Sequence, residues 1–135
     1  MSQLVQVAVG VITRVDDNNQ REFFLTKRAE HVHQGGKWEF PGGKVEDGET
    51  VAQALARELN EEVGIEVLSG QPLTVITHDY GDKCVSLEVF IVENFLHEPT
   101  AQEGQLQGWF SLPSLKTLDF PAANQTIIEL LDTLT

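Results

Sequence analysis

The sequence predicts an α+β fold in which helices pack on a mixed β-sheet. Three observations predict it: Val- and Ile-rich segments open the chain and recur through it, a capped amphipathic helix lies in the middle, and an apolar helix lies at the end. The chain has 135 residues, 41% of them hydrophobic and 22% charged. That is ordinary globular usage and about one domain's length, so a single domain over residues 1–135 is expected.

Residues 4–14, LVQVAVGVITR, alternate in part and are rich in β-branched side chains, the pattern of a strand. Asp16-Asp17-Asn18-Asn19 is a turn signal, and residues 22–27, EFFLTK, form the return strand of a hairpin. Residues 30–49 hold few periodic signals and read as a loop rich in Gly, His and acidic residues. Residues 50–63 are the clearest helix, with Thr50 and Gln53 as a capping box and Gly64 as the C-terminal stop. Strands are expected at 72–79, 83–94 and near 105–110; the second alternates Val85, Leu87, Val89 and Ile91 with Cys84, Ser86, Glu88 and Phe90. Pro121 opens the last helix, with Ile127, Ile128, Leu130, Leu131 and Leu134 on its apolar side.

Acidic residues number 21 and basic residues 9, a net charge of −12. Such a chain has no broad electrostatic grip on a nucleic-acid polymer or an anionic membrane, so neither is expected as a partner. An anionic ligand would need a mediating cation, and a divalent metal is the obvious one. Cys84 is the single cysteine, which excludes an intrachain disulfide and fits a reducing compartment. The opening segment lacks a basic n-region and no stretch has the ~18–20 apolar residues of a membrane span, so a cytoplasmic protein is expected.

The middle helix carries the chemistry. On a helical wheel at about 100° per residue, with Glu58 at zero, Glu62 falls near +40° and Glu61 near −60°. Leu55, Leu59, Ala52, Val63 and Ala56 fall between about +60° and +160°. A carboxylate stripe therefore lies beside the apolar stripe, and Arg57 is expected off the cluster. Clustered oxygens suit a hard divalent ion; a solvated acidic face is the simpler alternative. Upstream, Pro41-Gly42-Gly43 permits a sharp bend and close backbone approach to a ligand.

Residues 43–65, GKVEDGETVAQALARELNEEVGI, resemble the signature of the Nudix family in full. Gly43, Glu49, Arg57, Glu58, Leu59, Glu61, Glu62, Gly64 and Ile65 match its specified positions. Lys27-Arg28-Ala29, Trp38 to Lys44, Glu103-Gly104-Gln105 and Asp119 to Asn124 resemble the members that hydrolyse 8-oxo-dGTP; the similarity is weakest at 15–22 and 66–82.

The resemblance implies the Nudix fold, a mixed β-sheet sandwiched between α-helices. It implies a pyrophosphohydrolase that uses Mg²⁺ or Mn²⁺ to convert 8-oxo-dGTP to 8-oxo-dGMP and pyrophosphate, preventing misincorporation during replication. It assigns Glu58, Glu61, Glu62, Glu103 and the carbonyl of Gly43 to the metal, and Glu49 and Arg57 to a pair that fixes the loop against the helix. Glu58 and Glu103 both remain open as the acceptor of the water's proton. Lys44 could hold a phosphate oxygen, Arg28 could reach the base or sugar, and Phe40 could pack on the base plane. Asn124 offers one donor and one acceptor, which match O6 and the N7–H that 8-oxoguanine has and guanine lacks. Another nucleoside diphosphate derivative, or a non-catalytic nucleotide-binding module, is the alternative. A monomer is the default expectation.

Overall fold

The computed structural model describes residues 3–27, 36–102 and 105–134. In order these form β1 (Gln3–Val15), β2 (Arg21–Lys27), β3 (Trp38–Glu39), β4 (Gly42–Lys44), α1 (Val51–Val63), β5 (Glu66–Asp79), β6 (Lys83–Leu96), β7 (Leu106–Ser111), α2 (Leu112–Leu115) and α3 (Ala122–Leu134). The strands run β3-β2-β1-β6-β5, with β4 added on β1 and β7 on β2. β1 and β6 are parallel and every other pairing is antiparallel, so the sheet is mixed.

β1 organises the rest. Along one edge it pairs with β6 from Gln3 to Ile12. Its other edge is divided: Val7 to Val9 pair with β4, and Thr13 to Val15 pair with β2. The hairpin turn is tied by Asp16, whose carboxylate accepts the N–H groups of Asn18 and Gln20, each at 2.9 Å.

Both faces of the sheet are covered. Val9, Val11, Phe23, Leu25, Leu87 and Val89 join α3 in one core. Ala8, Ile12, Phe24 and Val92 join α1 in the other. The alternation along β1 and β2 therefore divides apolar residues between two cores, which is why the sequence of residues 4–14 alternates only in part.

Helix α1 begins and ends as its sequence dictates. Gln53 N–H donates to Thr50 Oγ1 at 3.1 Å, and Thr50 N–H donates to Gln53 Oε1 at 2.9 Å. Gly64 closes it with φ 74°. Its buried residues are Ala54, Leu55, Leu59 and Val63, while Ala52, expected on the apolar side, is exposed. On α3 the buried set is Ala123, Ile127, Ile128 and Leu131; Leu130 is half-buried and Leu134 is exposed.

The remaining differences from expectation lie where periodicity is short. The loop at 30–49 contains β3 and β4, of two and three residues. β5 starts at Glu66 rather than 72, with register irregularities between Val67 and Thr74 that blur its alternation.

Candidate active site

The site is built where β4 meets α1. An added Cβ on Gly42 would lie 2.1 Å from the carbonyl oxygen of Ala8, and one on Gly43 would lie 2.2 Å from the carboxyl carbon of Glu58. Neither glycine has positive φ. The Gly-Gly pair is therefore not the bend expected of it. It is a stretch of strand that must be bare on both sides, so that β1 can pair with it and Glu58 can lie on it.

Helix packing corrects the wheel. Ala54, buried, lies near −40° on the wheel used above, and Leu55 near +60°. Glu58 and Glu62 thus lie within the buried arc rather than beside it. Glu58 is only 20% exposed, and Glu62 Oε2 accepts the N–H of Gly42 at 3.2 Å. Glu61 points outward, 60% exposed.

Arg57 is also placed differently from expectation: it lies inside the cluster. Its Nε and Nη2 donate to Glu49 Oε2 and Oε1 at 2.7 and 3.0 Å, a fork-to-fork pair. Its Nη1 donates to Glu58 at 2.9 Å and to Glu61 at 3.3 Å, and its Nη2 also donates to the Lys44 carbonyl at 3.0 Å. The wheel gave the direction of its Cβ; the long side chain folds back over the carboxylates. Hydrogen bonds from Arg57 and from the Glu46 N–H push the Glu49 carboxyl down to about 2. Glu49 and Glu58 hold the Arg57 guanidinium above its ordinary value.

Among the described residues no three His, Cys, Asp or Glu side chains converge as a ready metal cage. Glu58 and Glu61 are turned to Arg57, and Glu62 to Gly42. The donor set nevertheless fits a hard divalent cation. Its side chains offer only oxygens, the Gly43 backbone lies against Glu58, and Glu58 and Glu61 share the Arg57 guanidinium with Glu46 and Glu49, all within 4 Å.

On its other side β4 borders a cavity of about 270 Å³. Val7, Val9, Val85 and Leu87 supply apolar walls, and Gly42, Gly43 and Lys44 also line it, so one strand touches both the carboxylates and the cavity. Asn124, in the first turn of α3, reaches the cavity, and its Oδ1 accepts the N–H of Phe40 at 3.3 Å. Phe40 itself is buried, with its ring stacked on Phe120 at 6.0 Å. Lys44 is exposed at the cavity's edge. Arg28 and Glu103 lie outside the described residues.

Glu39, His78 and Tyr80 also line the cavity and were not singled out by sequence. The rings of His78 and Tyr80 are 4.4 Å apart. The available signal was their i, i+2 spacing at the end of a strand, which puts both on one face.

A signature helix with clustered carboxylates, seated on a bare glycine strand in a sheet covered on both faces, defines a class. The NUDIX domain profile matches residues 4–131, and the chain belongs to the Nudix family. It is similar to the 8-oxo-dGTP diphosphatase of Escherichia coli (strain K12), 42% identical over 124 residues that cover 92% of this chain and 93% of that protein. It is also similar to the 8-oxo-dGTP diphosphatase of Proteus vulgaris, 42% identical over 100 residues, 74% of this chain and 86% of that one. A solved chain of MutT, described for Aliivibrio salmonicida and Vibrio cholerae, superposes with a TM-score of 0.85 at 35% identity, covering 98% of this chain and 100% of its own. Nudix hydrolases generally use a divalent cation.

Proposed function

We propose that this chain converts 8-oxo-dGTP to 8-oxo-dGMP and pyrophosphate, keeping an oxidised nucleotide out of replicating DNA. The whole chain, 1–135, would act as one Nudix domain, as a monomer in the cytoplasm, on a free nucleotide rather than a polymer or a membrane.

The observation that carries the reading is the Asn124 amide. Its Oδ1 is oriented by the Phe40 N–H in a cavity with apolar walls and a polar rim, and β4 joins that cavity to the carboxylates of α1. A carbonyl oxygen has a second lone pair, so Oδ1 can still accept the N7–H of 8-oxoguanine while Nδ2 donates to O6. Guanine would present a lone pair to Oδ1 instead. A buried site built on such pairing discriminates by up to about 10⁴–10⁵-fold. The names of the curated relatives support the same substrate.

Glu58, Glu61, Glu62 and Glu103, with the Gly43 carbonyl, would hold Mg²⁺ or Mn²⁺. The bound ion supplies the positive charge that a −12 chain lacks against a polyphosphate, and the Lewis acidity that makes water a nucleophile at neutral pH. Glu49 and Arg57 tie β4 and the loop after it to α1. Glu58 or Glu103 takes the proton from the attacking water, Lys44 neutralises a phosphate oxygen as a point charge, and Arg28 reaches the base or sugar.

Asn124→Ala is the direct test. Its kcat/KM for 8-oxo-dGTP is expected to fall by about 10²-fold or more, with that for dGTP changed far less. An unaltered ratio of the two would show that the base is read elsewhere.

A further inference from the structure

The segment 97–102 leaves β6 and carries no role in the reading above. We infer that Arg14, Glu98 and Trp109 form a clamp on this segment that positions the carboxylates of α1. The inference rests on the metal-binding reading of α1 and not on the identity of the base.

The segment begins at His97 with φ 77°, a left-handed conformation unfavourable for a residue with a Cβ. Contacts on both sides hold it there. At its start, the Glu98 carboxylate accepts from Arg14 Nη1 at 3.1 Å to each oxygen and from Trp109 Nε1 at 3.2 Å. Arg14 is itself fixed: its Nε donates to Glu22 at 2.7 Å, and its Cζ lies 3.9 Å from the Trp109 ring centroid. Trp109 is held in turn by an edge contact with Phe24, in the core beneath α1.

At its far end the segment is bonded to the last turn of α1. Thr100 N–H donates to the Val63 carbonyl and Gln102 N–H to the Glu62 carbonyl, both at 2.9 Å. Gln102 Nε2 donates back to the Thr100 carbonyl at 2.7 Å, and Ala101 N–H donates to Gln107 Oε1. The last carbonyls of a helix have no intrahelical partner, so what binds them sets how the final turn sits. Glu62 is one of the carboxylates at issue, and Gln102 directly precedes Glu103 in sequence.

An exposed ion pair alone contributes little, and Glu98 is 65% exposed. The clamp differs because one guanidinium is shared by two carboxylates and an indole face, and because the segment it holds ends on the site's own helix. Partners that orient metal-binding groups typically change metal affinity about 10–100-fold when removed.

The test is Mn²⁺ binding to the metal-free full-length chain, read from the electron paramagnetic resonance of free Mn²⁺. Glu98→Ala and Arg14→Met are each expected to weaken binding about 10-fold or more, and the double variant no more than either alone. Glu98→Gln keeps an acceptor for Trp109 but loses the charge, so it should fall between. Asp132→Asn removes a comparable exposed pair, Lys116–Asp132 at 2.9 Å between the end of α2 and α3, and should leave Mn²⁺ binding unchanged. Wild-type affinity in both Glu98→Ala and Arg14→Met would overturn the clamp. Absence of Mn²⁺ binding by the wild type would overturn the metal reading beneath it.

Discussion

At the scale of single residues, the site depends on where side chains are missing as much as on where they are. Gly43→Ala would drive a Cβ to within 2.2 Å of the Glu58 carboxyl carbon, so β4 and the helix must separate or Glu58 must swing away. Activity is expected to fall about 10²-fold or more, the loss that displacement of a general base or metal ligand brings, while the chain still folds. A fully active Gly43→Ala would show that the contact is idle. Glu49 gives a second prediction. Its folded-state carboxyl lies near 2 against an ordinary 4.5. A depressed carboxyl contributes stability that is complete above pH 4.5 and lost as pH falls toward 2. Glu49→Gln should therefore lose less stability than wild type across that interval, measured by denaturant unfolding at stepped pH; parallel curves would contradict the pairing. The carboxylates were legible because i, i+3, i+4 spacing fixes their common face whatever the tertiary structure. The position of Arg57 was not, because a long side chain can cross about a third of a helix's circumference and its direction is set by partners such as Glu49, which lies off the helix.

At the scale of elements, α1 is the one whose sequence carries its own instructions. Thr50→Ala removes the hydroxyl that accepts the Gln53 N–H, while the backbone N–H that donates to Gln53 Oε1 remains; the change is expected to cost about 1 kcal/mol, a few degrees in Tm, with catalysis preserved below the transition. Leu59→Ala, at a fully buried position against β1, should cost about 2–5 kcal/mol. Equal losses from the two would mean that packing against β1 adds nothing beyond the helix itself. Legibility followed the same logic. The hairpin and α1 were predicted with ends within about two residues, because turn residues and caps act locally. β3 and β4 were missed because two- and three-residue strands are too short to show a period, and they exist only because β2 and β1 offer edges. The early part of β5 was missed because Ser69-Gly70-Gln71 reads as loop and its pairing with β6 is irregular.

At the scale of the molecule, fold and charge make complementary demands. The sheet brings the first turn of α3 and the strand β4, distant in sequence, to one cavity, a placement that no local pattern contains. The net charge of −12 repels any polyphosphate. Without a divalent cation, nucleotide binding should be weak and should strengthen as ionic strength rises, because salt screens like-charge repulsion. Calorimetric titration in chelator can check this, and binding that weakens with salt would contradict the account. The most direct measurement of the central claim is kcat/KM for 8-oxo-dGTP and dGTP side by side in Mg²⁺, with the inorganic product identified. A preference of several hundred-fold or more is expected, on the order a hydrogen-bonding base site achieves, with pyrophosphate released. Equal or negligible rates on the two nucleotides would contradict it, removing the base-reading role of Asn124 while leaving the Nudix carboxylates to serve another substrate.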